Sequence, residues 1–116
     1  MASYYTKTVT IADSGTVSGA VQLCDAYNDD VDSLVGVVTA AGLTTADLTF
    51  QFSHDGTNYT AAKNAAGTAI TLSSVAASEW RAVDPTDFLS AKYIKVVSSA
   101  TQSGGDTITL VMRGVS

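Results

Sequence analysis

Apolar and polar positions alternate with a period of two along most of the chain. Thr6, Thr8 and Thr10 share one parity while Lys7, Val9 and Ile11 share the other. Val17, Gly19, Val21 and Leu23 alternate with Ser18, Ala20 and Gln22, and Leu48, Phe50 and Phe52 with Thr49 and Gln51. Ile70 and Leu72 flank Thr71, and Ile108, Leu110 and Met112 interleave with Thr107, Thr109 and Val111. Successive side chains of a strand point to opposite faces, so each run predicts a half-buried strand. Residues 34–40 and 93–97 are nearly continuous apolar runs, as central strands are, and residues 80–83 form a weaker candidate. No window sustains helical spacing over ten residues. Residues 41–46 or 85–90 have room for one helical turn.

Turn residues punctuate these runs: Asp13-Ser14-Gly15, Asn28-Asp29-Asp30, Asp55-Gly56, Ala66-Gly67, Asp84-Pro85 and Ser103-Gly104-Gly105-Asp106. Strands at this spacing predict an all-β chain: an antiparallel β-sandwich or jelly-roll-like fold of about seven to nine strands, its strand order left open. The predicted core is Val9, Ile11, Val21, Leu23, Leu34, Val37, Leu48, Phe50, Phe52, Ile70, Leu72, Trp80, Phe88, Ile94, Val96, Ile108, Leu110 and Met112. At 116 residues the chain reads as one domain spanning 1–116, with 1–8 as an extended N-terminal arm. Tyr4 and Tyr5 are strand neighbours and cannot share one core face. One of them is expected to touch a neighbouring subunit, and removal of residues 2–6 is expected to spare the fold.

Composition sharpens this picture. The chain holds 16 Thr and 13 Ser but one Glu and six Lys plus Arg, so it lacks the straight charged side chains that fill surface helices. Its exterior must be coated by hydroxyls and small side chains, which suits a sheet face or a surface covered by a partner. The net charge of −5 argues against a nucleic-acid footprint and against docking on an anionic membrane. The longest aliphatic stretch, Leu34 to Val38, is far too short to span a bilayer, and residues 1–13 show no secretory apolar segment.

Chemistry-bearing residues are few. Ser53-His54-Asp55 has the residue types of a hydrolase triad, but strand neighbours diverge, and Asp55-Gly56 reads as a self-capped hairpin turn. His54 is the sole histidine, expected to face solvent at a strand end. Asp25, Asp29, Asp30 and Asp32 form the densest acidic patch. Such a loop can supply oxygens to a hard cation, but its spacing is not that of an EF-hand, and a solvated turn is the expectation. Asn58-Tyr59-Thr60 matches a glycosylation sequon by chance, and Cys24 reads as a small buried hydrophobe. Tyr4, Tyr5, Tyr27 and Tyr59 do not fit the core pattern and are the interface candidates. No cofactor and no catalytic residue is expected.

Three segments together carry a resemblance. They are Ser18 to Leu23 followed by Leu34 to Val38; Leu48 to Tyr59, with Phe50, Ser53, Asp55, Gly56 and Tyr59 on a hairpin pattern; and Lys92 to Val97 followed by Thr107 to Arg113. Their order resembles a group of small tailed-bacteriophage β-sandwich proteins, related in shape to discoidin-like and galactose-binding-like jelly rolls. The resemblance implies a non-enzymatic virion component made in the bacterial host cytoplasm. It would sit on the outer capsid surface as a decoration (cement) protein, a homotrimer whose partner is the major capsid protein. The alternative it implies is a carbohydrate-binding module of a tail or head fibre that attaches to a host-surface glycan.

Overall fold

A computed structural model describes residues 4–23 and 31–115, with Tyr4, Val31, Asp32, Gly114 and Val115 described by backbone alone. Nine strands are described: β1 (Tyr4–Ile11), β2 (Val21–Gln22), β3 (Val31–Val38), β4 (Ala46–Ser53), β5 (Thr60–Ala61), β6 (Leu72–Val75), β7 (Trp80–Ala82), β8 (Tyr93–Ser98) and β9 (Asp106–Val115). They form two antiparallel sheets. Sheet A runs β1-β9-β3-β7; sheet B runs β2-β8-β4-β5, with β6 also paired to β4. The all-β sandwich is as the period-two pattern predicts; if β5 and β6 count as one interrupted strand, the chain weaves between the sheets in jelly-roll order, which the pattern left open.

Register decides which parity faces inward. Val9 lies opposite Ile108, Lys7 opposite Leu110 and Tyr5 opposite Met112. On β3 the regular alternation breaks: Leu34 faces Met112, yet Gly36 faces Val111 and Val37 faces Leu110. Val35 is the extra residue of a bulge. The bulge puts both Leu34 and Val37 in the core, where both are fully buried, and turns Gly36 outward. Phe50, Phe52 and Phe88 meet at one end of the core, with ring centroids 4.9 Å (Phe50–Phe88) and 5.6 Å (Phe52–Phe88) apart. Phe88 reaches them from a 3₁₀ turn over Pro85–Phe88, one of the two places where a helical turn is expected. Asp84 caps it by accepting the Thr86 amide. Burial of such rings stabilises by roughly 2–3 kcal/mol each.

Two inward-facing cations close the lateral seams. On β1 the Lys7 amine donates to the Gln22 carbonyl of sheet B. On β7, at the opposite edge, Arg81 donates to the Ser73 carbonyl at 3.0 Å and to Glu79 at 2.7 Å. A charge pointing inward from an edge strand discourages edge-to-edge pairing.

Several expectations change. Trp80 is 61% exposed and not core, because β7 is a three-residue edge strand whose inward parity belongs to Arg81. Val21, Phe52 and Leu72 pack at the core margin, half-buried, while Leu43, Ala62, Val75 and Val111 are buried without having been predicted. The strand expected over 17–23 shrinks to β2 and isolated bridges; there Ser18 is buried and Val17 exposed, and the Ser18 hydroxyl accepts the Val96 amide at 2.8 Å. The N-terminal arm is, from Tyr4 onward, strand β1, paired with β9 along its whole length. Truncation into it therefore removes ladder residues. Tyr5 packs against the core, and the side chain of Tyr4 lies outside the described residues.

Candidate interaction face

The outer face of sheet A is assembled by register. Partners in an antiparallel pair share a face. Thr6, Thr8 and Thr10 of β1 lie beside Val111, Thr109 and Thr107 of β9. Next come Gly36 and Val38 of β3, then Ala82 and Trp80 of β7. Across these ten positions there is no charge; Arg113, further along β9, is the first. The Thr10 and Thr107 hydroxyls are hydrogen-bonded across the ladder at 3.2 Å.

Trp80 occupies a seat made by glycine. A Cβ built on Gly36 would stand 2.9 Å from the indole Nε1, and 3.6 Å from both indole Cε2 and Val111 Cβ. The indole thus lies over the bare backbone of Gly36, next to Val111, which is only 2% exposed although it faces away from the core. The result is an apolar patch of Val38, Trp80 and Ala82, underlain by Val111 and continuous with a field of threonines. Sequence reasoning missed this because it placed every large apolar residue inside. The available signals were Arg81 between Trp80 and Ala82, and Gly36 interrupting an otherwise aliphatic run.

The predicted interface tyrosines do not converge. Tyr59 lies on the outer side of sheet B, half-buried, with the Lys95 amine 4.3 Å from its ring centroid. Burial pushes its phenol above the ordinary tyrosine range, and the neighbouring Tyr93 and Asp55 add to the shift. Tyr27 lies outside the described residues, as do Cys24, Asp25, Asp29 and Asp30; of Asp32 only the backbone is described.

Ser53-His54-Asp55 forms a turn. Asp55 Oδ1 accepts the amides of Asn58 and Thr57, each at 2.9 Å, and the Ser53 hydroxyl at 2.9 Å; Oδ2 accepts the Asn58 side-chain amide at 2.9 Å. These donors, led by the Asn58 amide, hold the Asp55 carboxyl well below the usual carboxylate range. Gly56 supplies the left-handed φ of 79°. His54 is exposed. A groove of about 260 Å³ beside this turn is lined by Phe52, Ser53, His54, Asn58, Thr60, Ser90 and Ala91, and another of about 460 Å³ by Lys63, Asn64, Ala65, Thr86, Asp87 and Ser90.

The opposite end is tied by Gln102, which is fully buried. Its Oε1 accepts the Thr44 amide at 2.8 Å, and its Nε2 donates to the Thr44 carbonyl and the Ser98 hydroxyl, both at 3.0 Å. Its own amide donates to the Gly15 carbonyl, and its carbonyl accepts the Ser14 amide. One side chain and its backbone thereby join three connections. No protein-family model matches the chain, and no curated protein matches it either.

Proposed function

We propose that this chain is a non-enzymatic assembly protein that uses the outer face of sheet A, centred on Trp80, to bury surface against copies of itself and a larger partner. The observation that carries this reading is a large aromatic, 61% exposed, seated over Gly36 on an uncharged sheet face. Contiguous exposed apolar patches rimmed by polar residues mark interaction sites, and tryptophan is enriched at binding hot spots. The turn geometry of Ser53, His54 and Asp55 supports a role without catalysis, since Asp55 spends its oxygens on its own loop.

The finer reading rests on the resemblance of the three segments to tailed-phage sandwiches. In it the protein is a capsid decoration protein on the outer virion surface, a homotrimer bound to the major capsid protein. A repeated lattice multiplies a modest contact, so a weak face suffices. Sedimentation of the purified chain tests the coarser claim: a trimer is expected as concentration rises, and a monomer at every concentration contradicts it. For the finer claim, the gene is expected beside a major capsid gene and the protein in hundreds of copies per particle. A position among tail genes with few copies favours the glycan-binding fibre module instead, for which the groove beside Asp87 is one sugar-sized feature.

A further inference from the structure

The end of the sandwich closed by residues 12–15, 39–45 and 99–105 holds a charge that the chain does not answer. Asp106 opens β9 opposite Ile11, on the parity of Ile108 and Leu110, so its side chain faces between the sheets. It is 5% exposed, and its Oδ2 is buried with no hydrogen-bond partner among the described residues. Its Oδ1 lies against Gly42, where an added Cβ would come within 3.1 Å. Four residues earlier, the neutral Gln102 takes up the Thr44 amide, the Thr44 carbonyl and the Ser98 hydroxyl. The three connections carry no Lys, Arg or His. Arg81, opposite Val37 at the sheet edge, is already paired with Glu79 at 2.7 Å. A buried carboxylate without partner or counter-charge is strongly unfavourable, so it is neutralised either by a proton or by a cation from outside the protein.

A second carboxylate, the exposed Asp13, stands in the turn that follows β1, just past the Ile11–Asp106 pair. Asp13, two residues beyond Ile11, accepts the Gly104 amide at 2.9 Å, and Gly104 lies two residues before Asp106. We propose that Asp106 anchors a calcium-class cation site at this end of the sandwich, with Asp13 as its second carboxylate. Turn carbonyls and water supply the remaining oxygens. Calcium accepts six to eight oxygens in flexible geometry, whereas magnesium demands a near-ideal octahedron and zinc prefers the nitrogen and sulfur ligands that these turns lack. This inference is independent of the assembly reading.

The test is thermal melting of the full chain, first in a chelator and then with CaCl₂, MgCl₂ or NaCl at matched ionic strength. A site of dissociation constant about 10⁻⁴–10⁻³ M predicts that roughly 10 mM calcium raises Tm by about 5–10 °C. Asp106→Asn is expected to abolish that rise and, in chelator, to melt no earlier than the wild type, because the uncompensated charge is gone. Asp13→Asn is expected to raise the half-saturating calcium about tenfold. The proposal is overturned if calcium leaves Tm unmoved, if sodium matches calcium, or if Asp106→Asn keeps the calcium response. Should Asp106→Asn fail to fold, an unchanged half-saturation in Asp13→Asn overturns it.

Discussion

The two ends of this sandwich solve the same problem with opposite chemistry. At one end the core is closed by an apolar plug, Phe88 against Phe50 and Phe52, and the nearby turn carries a carboxylate, Asp55, that is exposed and saturated with donors. At the other the plug is polar: Gln102 is fully buried and satisfied, while Asp106 beside it is buried and has an oxygen with no partner among the described residues. Exposure and satisfaction are thus decoupled. Water would have served Asp55 anyway, whereas the buried Oδ2 of Asp106 finds no donor among the described residues. A turn can satisfy a carboxylate from amides two and three residues on. A buried one depends on what the rest of the fold brings to it.

Breaking each plug measures that difference. Phe88→Ala is expected to cost about 3–5 kcal/mol by loss of buried ring and creation of a cavity, read as a lower midpoint in urea denaturation. Gln102→Ala is expected to cost about 3 kcal/mol, because a fully buried side chain is removed and the Thr44 amide and carbonyl lose their partner. The two should differ in reach as well as size. Hydrogen exchange in the Gln102 variant should accelerate first around Ser14 and Thr44 and spare the Asp55 turn; an even acceleration over the chain would show that Gln102 is ordinary core.

A smaller effect sharpens the comparison from the other end. The folded carboxyl of Asp55 is held below its unfolded range, so its contribution to stability is present above the unfolded pKa of about 4 and is lost as pH falls through the folded value. A carboxyl titration followed by NMR should show Asp55 still ionised when ordinary aspartates are protonated, with the Thr57 and Asn58 amides shifting only when it titrates. Co-titration with ordinary exposed aspartates would contradict the turn geometry. Gly36→Ala should have the smallest effect on stability. Trp80 is 61% exposed, so the added Cβ should unseat the indole with a loss well under that of either plug.

How much of this was legible follows from which contacts are local. The Asp55-Gly56 turn, the Asp84-Pro85 cap and the alternation of β9 are set by neighbours in sequence, and each was readable there. The parity of β7 was not. Trp80, Arg81 and Ala82 face out, in and out only because a short edge strand sends its cation across the seam to Ser73. Nor was the bulge at Val35, which needs the register against β9 to appear. The buried state of Gln102 and Asp106 depends on connections more than fifty residues apart, and a glutamine in a run of Ser, Thr and Gly looks like any exposed loop residue.

The central functional claim is that Trp80 lies on a surface that assembly covers, and its own fluorescence tests it most directly, since it is the only tryptophan in the chain. Dilute protein should emit at the red wavelength of a solvated indole. The emission should shift to the blue over the same concentration range in which sedimentation reports self-association, and Trp80→Ala should remove that association while leaving the urea midpoint nearly unchanged. Emission that stays red while the protein associates, or association that survives Trp80→Ala, would contradict the claim.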